Sequence, residues 1–107
     1  MTEAYELTAT EGLKSMEAGN LTAEAWTASC FERIEDREEA VLAWEHLDRD
    51  GALAHARAID QVGNGGPVKG VPFGAKDIID THDMPTSYGS PIHTGHQPSR
   101  DAGCVAI

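Results

Sequence analysis

The run Gly70-Val71-Pro72-Phe73-Gly74-Ala75-Lys76-Asp77 decides how the rest of the chain is read, because it carries a single lysine out of a short apolar stretch. From Val68 to Ala75 the residues are apolar nearly throughout and alternate poorly, which fits a strand covered on both faces within a larger mixed sheet. An ammonium at the end of such a strand is costly to bury and tends to neutralise, and a neutral lysine can act as a base. Side chains alternate across an extended backbone, so Lys76 and Asp77 are expected to point to opposite faces. That separation matters, since a carboxylate beside the amine would hold it protonated, whereas desolvation lowers its pKa toward the range of a general base. The ordinary reading of an isolated lysine is a solvated surface charge.

Upstream, Gly63-Asn64-Gly65-Gly66-Pro67 is a loop by its turn chemistry. It divides a strongly acidic front, with 14 acids and 5 bases up to Val62, from a back half rich in glycine, proline and histidine with 4 acids and 3 bases. In the front, Thr8 followed by Glu11 has the form of a capping box and opens a helix through Leu13 and Met16 that stops at Gly19-Asn20. Thr22 can cap a second helix, on which Ala23, Trp26, Cys30 and Ile34 form an apolar stripe opposite Glu24, Glu32, Glu35 and Asp36. Val41-Leu42-Ala43-Trp44 is short, apolar and β-prone, and reads as a strand. Asp48 or Asp50 then caps a third helix through Leu53, Ala56, Ile59 and Val62. Trp26 and Trp44 are read as core residues, because large aromatics dominate the buried area of small folds.

The chain has 107 residues, 40% of them apolar, with 8 basic and 18 acidic side chains and a net charge of −10. It is one small domain or part of one. The charge argues against nucleic acid and anionic membrane as partners, both of which need positive charge. Cys30 and Cys104 lie far apart without C-x-x-C spacing and suit a reducing compartment, where thiols serve as small hydrophobes. The first residues carry carboxylates where a signal peptide would carry positive charge, and no stretch approaches the ~20 apolar residues of a membrane span. A cytoplasmic protein is expected.

The segment from Gly70 to Asp77, then Pro85-Thr86-Ser87-Tyr88-Gly89-Ser90, then Pro98 and Asp101-Ala102 with Val105 following, closely resembles the front of the amidase signature family of serine hydrolases. The front half fits as well, with two helices ending in Arg33-Ile34-Glu35, a short strand, and an alanine-rich helix before the glycine loop. The resemblance implies an α/β fold: N-terminal helices followed by strands of a mixed central sheet covered by helices, here truncated. Residues 1–107 would be the N-terminal part of a single amidase domain, with a helical acidic front (1–62), a glycine loop (63–69) and a lysine segment (70–107). It further implies a Ser-cisSer-Lys mechanism in which Lys76 matches the family's catalytic lysine. A neutral lysine there accepts a proton relayed through a bridging serine on a cis peptide bond from the nucleophilic serine, whose hydroxyl is otherwise almost wholly protonated. Both serines belong to a later glycine- and serine-rich segment of the family pattern that these 107 residues do not include, so the chain alone is expected to be inactive. Ser87 and Ser90 do not replace them, since neither forms a Ser-x-x-Lys or Gly-x-Ser-x-Gly motif, and turn hydrogen bonding at Gly89 is their expected task. The implied substrate is a linear carboxamide, with no cofactor and no metal, and the complete protein could be a homo-oligomer.

Two other readings stay open. His82, His93 and His96, with Asp80 and Asp83 nearby, could form a small metal-binding domain, His93-x-x-His96 being close enough in sequence to share one zinc. The acidic helical front could instead be a non-catalytic interaction module, docking through the stripe of the second helix. Asp101 is expected to cap a final helix beginning at Ala102.

Overall fold

The computed structural model describes residues 2–63 and 66–106. Asn64 and Gly65, in the middle of the glycine loop, lie outside the described residues, as do Met1 and Ile107. Helix α1 spans Ala9–Glu17, α2 spans Ala23–Val41, α3 spans Arg49–Val62, and a single turn, α4, spans Gly103–Ala106. Short 3-10 turns lie at Ala4–Glu6 and Pro91–His93. The chain forms two compact units, the first made of Met1–Ala43 with Asp48–Phe73 and the second of Trp44–Leu47 with Gly74–Ile107.

In the first unit, α1 opens with the expected capping box. Thr8 Oγ1 accepts from the Glu11 N–H at 3.2 Å, and the Glu11 carboxylate accepts from the Thr8 N–H at 2.8 Å. These bonds hold the Glu11 carboxyl below its ordinary value, the Thr8 backbone N–H having the largest effect. The helix ends where Gly19 turns to a φ of 78°, with its N–H on Met16 O and the Asn20 N–H on Ser15 O. Glycine is suited there because a Cβ is disfavoured in the left-handed region.

Helix α2 buries Ala23, Trp26, Thr27 and Phe31, with Cys30 and Ile34 half-buried along the same stripe. Its N-terminus shows how the first unit is joined. Thr22 Oγ1 accepts from Ala25 N at 3.1 Å, while the carboxylate of Asp60 on α3 accepts from Ala23 N at 2.8 Å and Glu24 N at 3.0 Å. The first three N–H groups of α2, which no helical carbonyl can take, are thus all satisfied. Trp26, 3% exposed, lies so close to Gly12 of α1 that a Cβ there would stand 2.0 Å from its ring. Gly70 makes a similar approach, where an added Cβ would meet Ala23 and Met16 at 2.8 Å.

The expected mixed sheet is not found, and this corrects the fold class: the described residues contain helices and irregular segments but no strand. Val41, read as the start of a strand, is the last residue of α2. Leu42 ends that helix at a φ of 52°, its N–H on Glu38 O at 2.8 Å. The preceding Glu38-Glu39-Ala40 favours helix, and each added residue gains a bond once a helix exists. Residues 68–75 are likewise irregular, with turn bonds from Lys69 N to Gly66 O and Val71 N to Val68 O. A strand needs a neighbour to take its N–H and C=O groups, and among the described residues no extended segment offers one. Trp44, at 42% exposure, is not the core residue expected of it, although its ring stands where a Cβ on Gly74 would approach to 2.8 Å.

The second unit is built from turns. Thr81 and Thr86 are buried, Thr86 to 2% exposure, and Thr86 N donates to His96 O at 2.9 Å. Ala102 N donates to Asp80 O at 2.9 Å and so ties residues 80–82 to the approach to α4.

Candidate functional site

Lys76 lies in the second unit on an irregular segment, with its side chain exposed. The burial that the strand reading anticipated is therefore not supplied by the residues described. What the segment does have is an anchor. Lys76 O accepts from Ile79 N at 2.9 Å, and Asp77 O accepts from Tyr88 N at 2.9 Å. The Asp77 carboxylate accepts from the Ser87 N–H at 2.8 Å and from the Ser87 hydroxyl. The Ser87 hydroxyl and backbone N–H have the largest effect in holding the Asp77 carboxyl below its ordinary value, with smaller help from a Gly89 N–H and the charge of Lys76. No ion pair within 4.0 Å joins Asp77 to Lys76 among the described residues.

The partner of Asp77 is a tight turn. Ser90 N donates to Ser87 O at 3.0 Å, and both intervening residues have positive φ, 54° at Tyr88 and 72° at Gly89. These are the features of a type I′ turn, which glycine enters freely and tyrosine does not. Tyr88 is held by its own side chain: the hydroxyl donates to Asp80, and the ring meets His93 edge-on at 5.1 Å and His96 at 6.0 Å. The bond to Asp80 raises the Tyr88 pKa. Ser87 thus hydrogen-bonds at the turn as the sequence suggested, and Ser90 Oγ accepts from Ile92 N at 3.3 Å. Nothing in the sequence announces the bond between Asp77 and Ser87, which lie ten positions apart with no local rule to couple them.

The histidines do not converge as the metal reading required. His93 and His96 flank Tyr88, while His82 turns to Asp101, whose Oδ1 accepts from both its backbone N–H and its Nδ1 at 2.8 Å. His82, Asp83 and Asp101 do each bring a ligand atom within 4.8 Å of the others. In that group, however, the Nδ1 of His82 is engaged by Asp101. Asp101, expected to cap the last helix, is used here instead; in α4 it is Ala102 O that accepts from Val105 N and Ala106 N.

Comparison with known proteins places these features in a family. The family model described as Amidase matches residues 25–107, the stretch that includes Lys76, Asp77 and the turn at Ser87. The chain belongs to the amidase family. The A subunit of the glutamyl-tRNA(Gln) amidotransferase from Chloroflexus aurantiacus is 42% identical over 109 residues, which cover 98% of this chain and 22% of the relative. The protein of the same name from Streptomyces coelicolor is 42% identical over 106 residues, covering 95% of this chain and 21% of its own length. That from Streptomyces avermitilis is 43% identical over 100 residues, covering 90% and 20%. The chain therefore spans about a fifth of the length of these relatives. No solved structure matches it. The relatives' name includes a transfer RNA, a class of partner that the acidic charge of this chain argued against, and it designates one subunit of a larger enzyme. Among the described residues no helix is long and apolar enough to cross a membrane.

Proposed function

We propose that the complete protein is an amidase that hydrolyses the C–N bond of a linear carboxamide, with Lys76 as the terminal base of a Ser-cisSer-Lys relay. The observation that carries this reading is the match to the amidase family across residues 25–107, which takes in Lys76 within the Gly70 to Asp77 pattern. In the proposed reaction a serine Oγ attacks the amide carbonyl carbon, and its proton passes through the bridging serine to Lys76 Nζ. The tetrahedral intermediate collapses by breaking the C–N bond, and the departing nitrogen takes the proton back and leaves as ammonia or an amine. Water then attacks the acyl ester, with the same relay as base, and restores the serine. Both serines lie outside the 107 residues. An exposed amine on an anchored segment suits the task, because it must be met by groups from elsewhere in the protein.

A narrower reading is favoured by the relatives' shared name: the amidase is one component of an amidotransferase serving glutamyl-tRNA(Gln). The ammonia it releases would then be consumed by a partner protein. The net charge of −10 fits an arrangement in which that partner, and not this chain, makes the contacts to the RNA phosphates.

The test is ammonia release by the full-length protein from acetamide, propionamide, benzamide, L-asparagine and L-glutamine. Lys76→Ala should reduce turnover at least ~100-fold, in line with the loss of a proton-transfer group, with the circular dichroism spectrum unchanged. Retention of more than a few per cent of activity would remove Lys76 from the mechanism. Purification with a partner protein would favour the narrower reading, and an active protein isolated alone would favour a free-standing amidase.

A further inference from the structure

We propose that Asp77 and Ser87 are positioning residues for Lys76, an inference that rests on Lys76 being the terminal base. They fix the backbone from which the lysine projects, and they keep the neighbouring carboxylate engaged away from its amine. Lys76 is exposed and no sheet ladder holds its segment, so its direction must be set by other bonds. The Asp77 carbonyl takes the Tyr88 N–H at 2.9 Å, and the two carboxylate oxygens take the N–H and O–H of Ser87. The far end of the clamp is itself fixed, since the turn at Ser87 closes on Ser90 and Tyr88 is bound to Asp80 and packed on His93 and His96. A base displaced by about 1 Å can lose two orders of magnitude in rate, so a clamp one residue away can affect catalysis without touching substrate.

The same bonds decide where the negative charge goes. Adjacent Asp and Lys could pair, and pairing would favour the ammonium over the amine. Here no ion pair joins them, because both oxygens of Asp77 face donors on Ser87. The other titratable groups around Asp77 are Lys76 itself and Tyr88, whose hydroxyl is committed to Asp80. Removing the Ser87 hydroxyl frees one oxygen for the amine. Removing both side chains frees nothing.

That asymmetry gives a test that a merely structural role would not pass. In the full-length protein, Ser87→Ala should lower kcat about 3- to 10-fold with KM within about twofold, and should move the acid limb of the pH–kcat profile to higher pH. Asp77→Ala should lower kcat about 10- to 100-fold without that movement, and the double variant should match Asp77→Ala in both respects. Asp77→Asn, which keeps one acceptor oxygen, should recover part of the loss. Labelling of Lys76 by trinitrobenzenesulfonate, followed by peptide mass spectrometry with Lys14 and Lys69 as internal references, gives a second readout that needs no turnover. It should be slower at pH 7 in Ser87→Ala and not in the double variant. Should Asp77→Ala fail to fold, Ser87→Ala carries the test alone. An unchanged kcat, pH limb and labelling rate in Ser87→Ala, with Lys76→Ala inactive, would overturn the clamp and leave the base assignment standing. An active Lys76→Ala would overturn the base assignment itself.

Discussion

His82 is tied to Asp101 through its backbone N–H and its Nδ1, and the pair has a consequence for pH. The hydrogen bond to Asp101, and then its charge, raise the His82 pKa above 6.5; the N–H and imidazole of His82 lower that of Asp101 below 3.8. A raised histidine stabilises the fold below its unfolded pKa and loses that contribution as pH rises through the folded one. A depressed aspartate contributes above its unfolded pKa and loses it as pH falls through the folded one. The link between residues 80–82 and 101–102 should therefore be firmest between about pH 4 and 6.5 and weaken on either side. An NMR titration of the His82 ring should place its midpoint above 6.5, and Asp101→Asn should bring it down. A midpoint unmoved by that substitution would mean that the contact does not form in solution. The same pair shows what a single sequence conceals. His82 stood out as a possible ligand and Asp101 as a helix cap, yet their bond joins positions nineteen residues apart. Lys76, by contrast, could be singled out from the sequence because the Gly70 to Asp77 pattern around it is wholly local.

At the scale of elements, what was readable depended on whether an element completes itself. The capping box of Thr8 and Glu11 and the Thr22 cap act within four residues, and both form where the spacing put them. A strand cannot complete itself, which is why Val41-Trp44 and Val68-Ala75 are not strands here despite their composition. Asp60 is the intermediate case: it lies on the face of α3 that carries Ala56, and its task is to receive the first two N–H groups of α2. Nothing in the local sequence of either helix announces this. Asp60→Ala should leave those two groups without partners in a half-buried setting and destabilise the first unit by about 1–2 kcal/mol. Asp60→Asn keeps one acceptor and should cost less than half as much. Urea unfolding followed at 222 nm checks both, and equal stability of Asp60→Ala and the parent would show that water replaces the carboxylate at no cost.

For the whole molecule, two surface properties oppose one another. Leu42, Val62, Val68, Phe73 and Ile92 are all largely exposed, Phe73 to 76% and Ile92 to 88%, and such apolar surface favours association. The net charge of −10 resists it by mutual repulsion. Repulsion between exposed charges reaches only as far as the Debye length, about 30 Å at 0.01 M salt and about 3 Å at 1 M, whereas apolar attraction is not screened. Salt should therefore decide between them. The polypeptide of residues 1–107 should be dispersed at low ionic strength and increasingly associated as sodium chloride is raised toward 1 M, with light scattering as the measure. Among the described residues, the acid–arginine pairs of Arg33 with Asp36, Arg49 with Glu35 and Arg57 with Glu24 are solvent-exposed and contribute too little to reverse that trend. Exchanging Phe73 and Ile92 for serine should reduce the salt-induced scattering while leaving the charge untouched. If scattering does not rise with salt, or rises equally in that double variant, these apolar side chains are not what drives association.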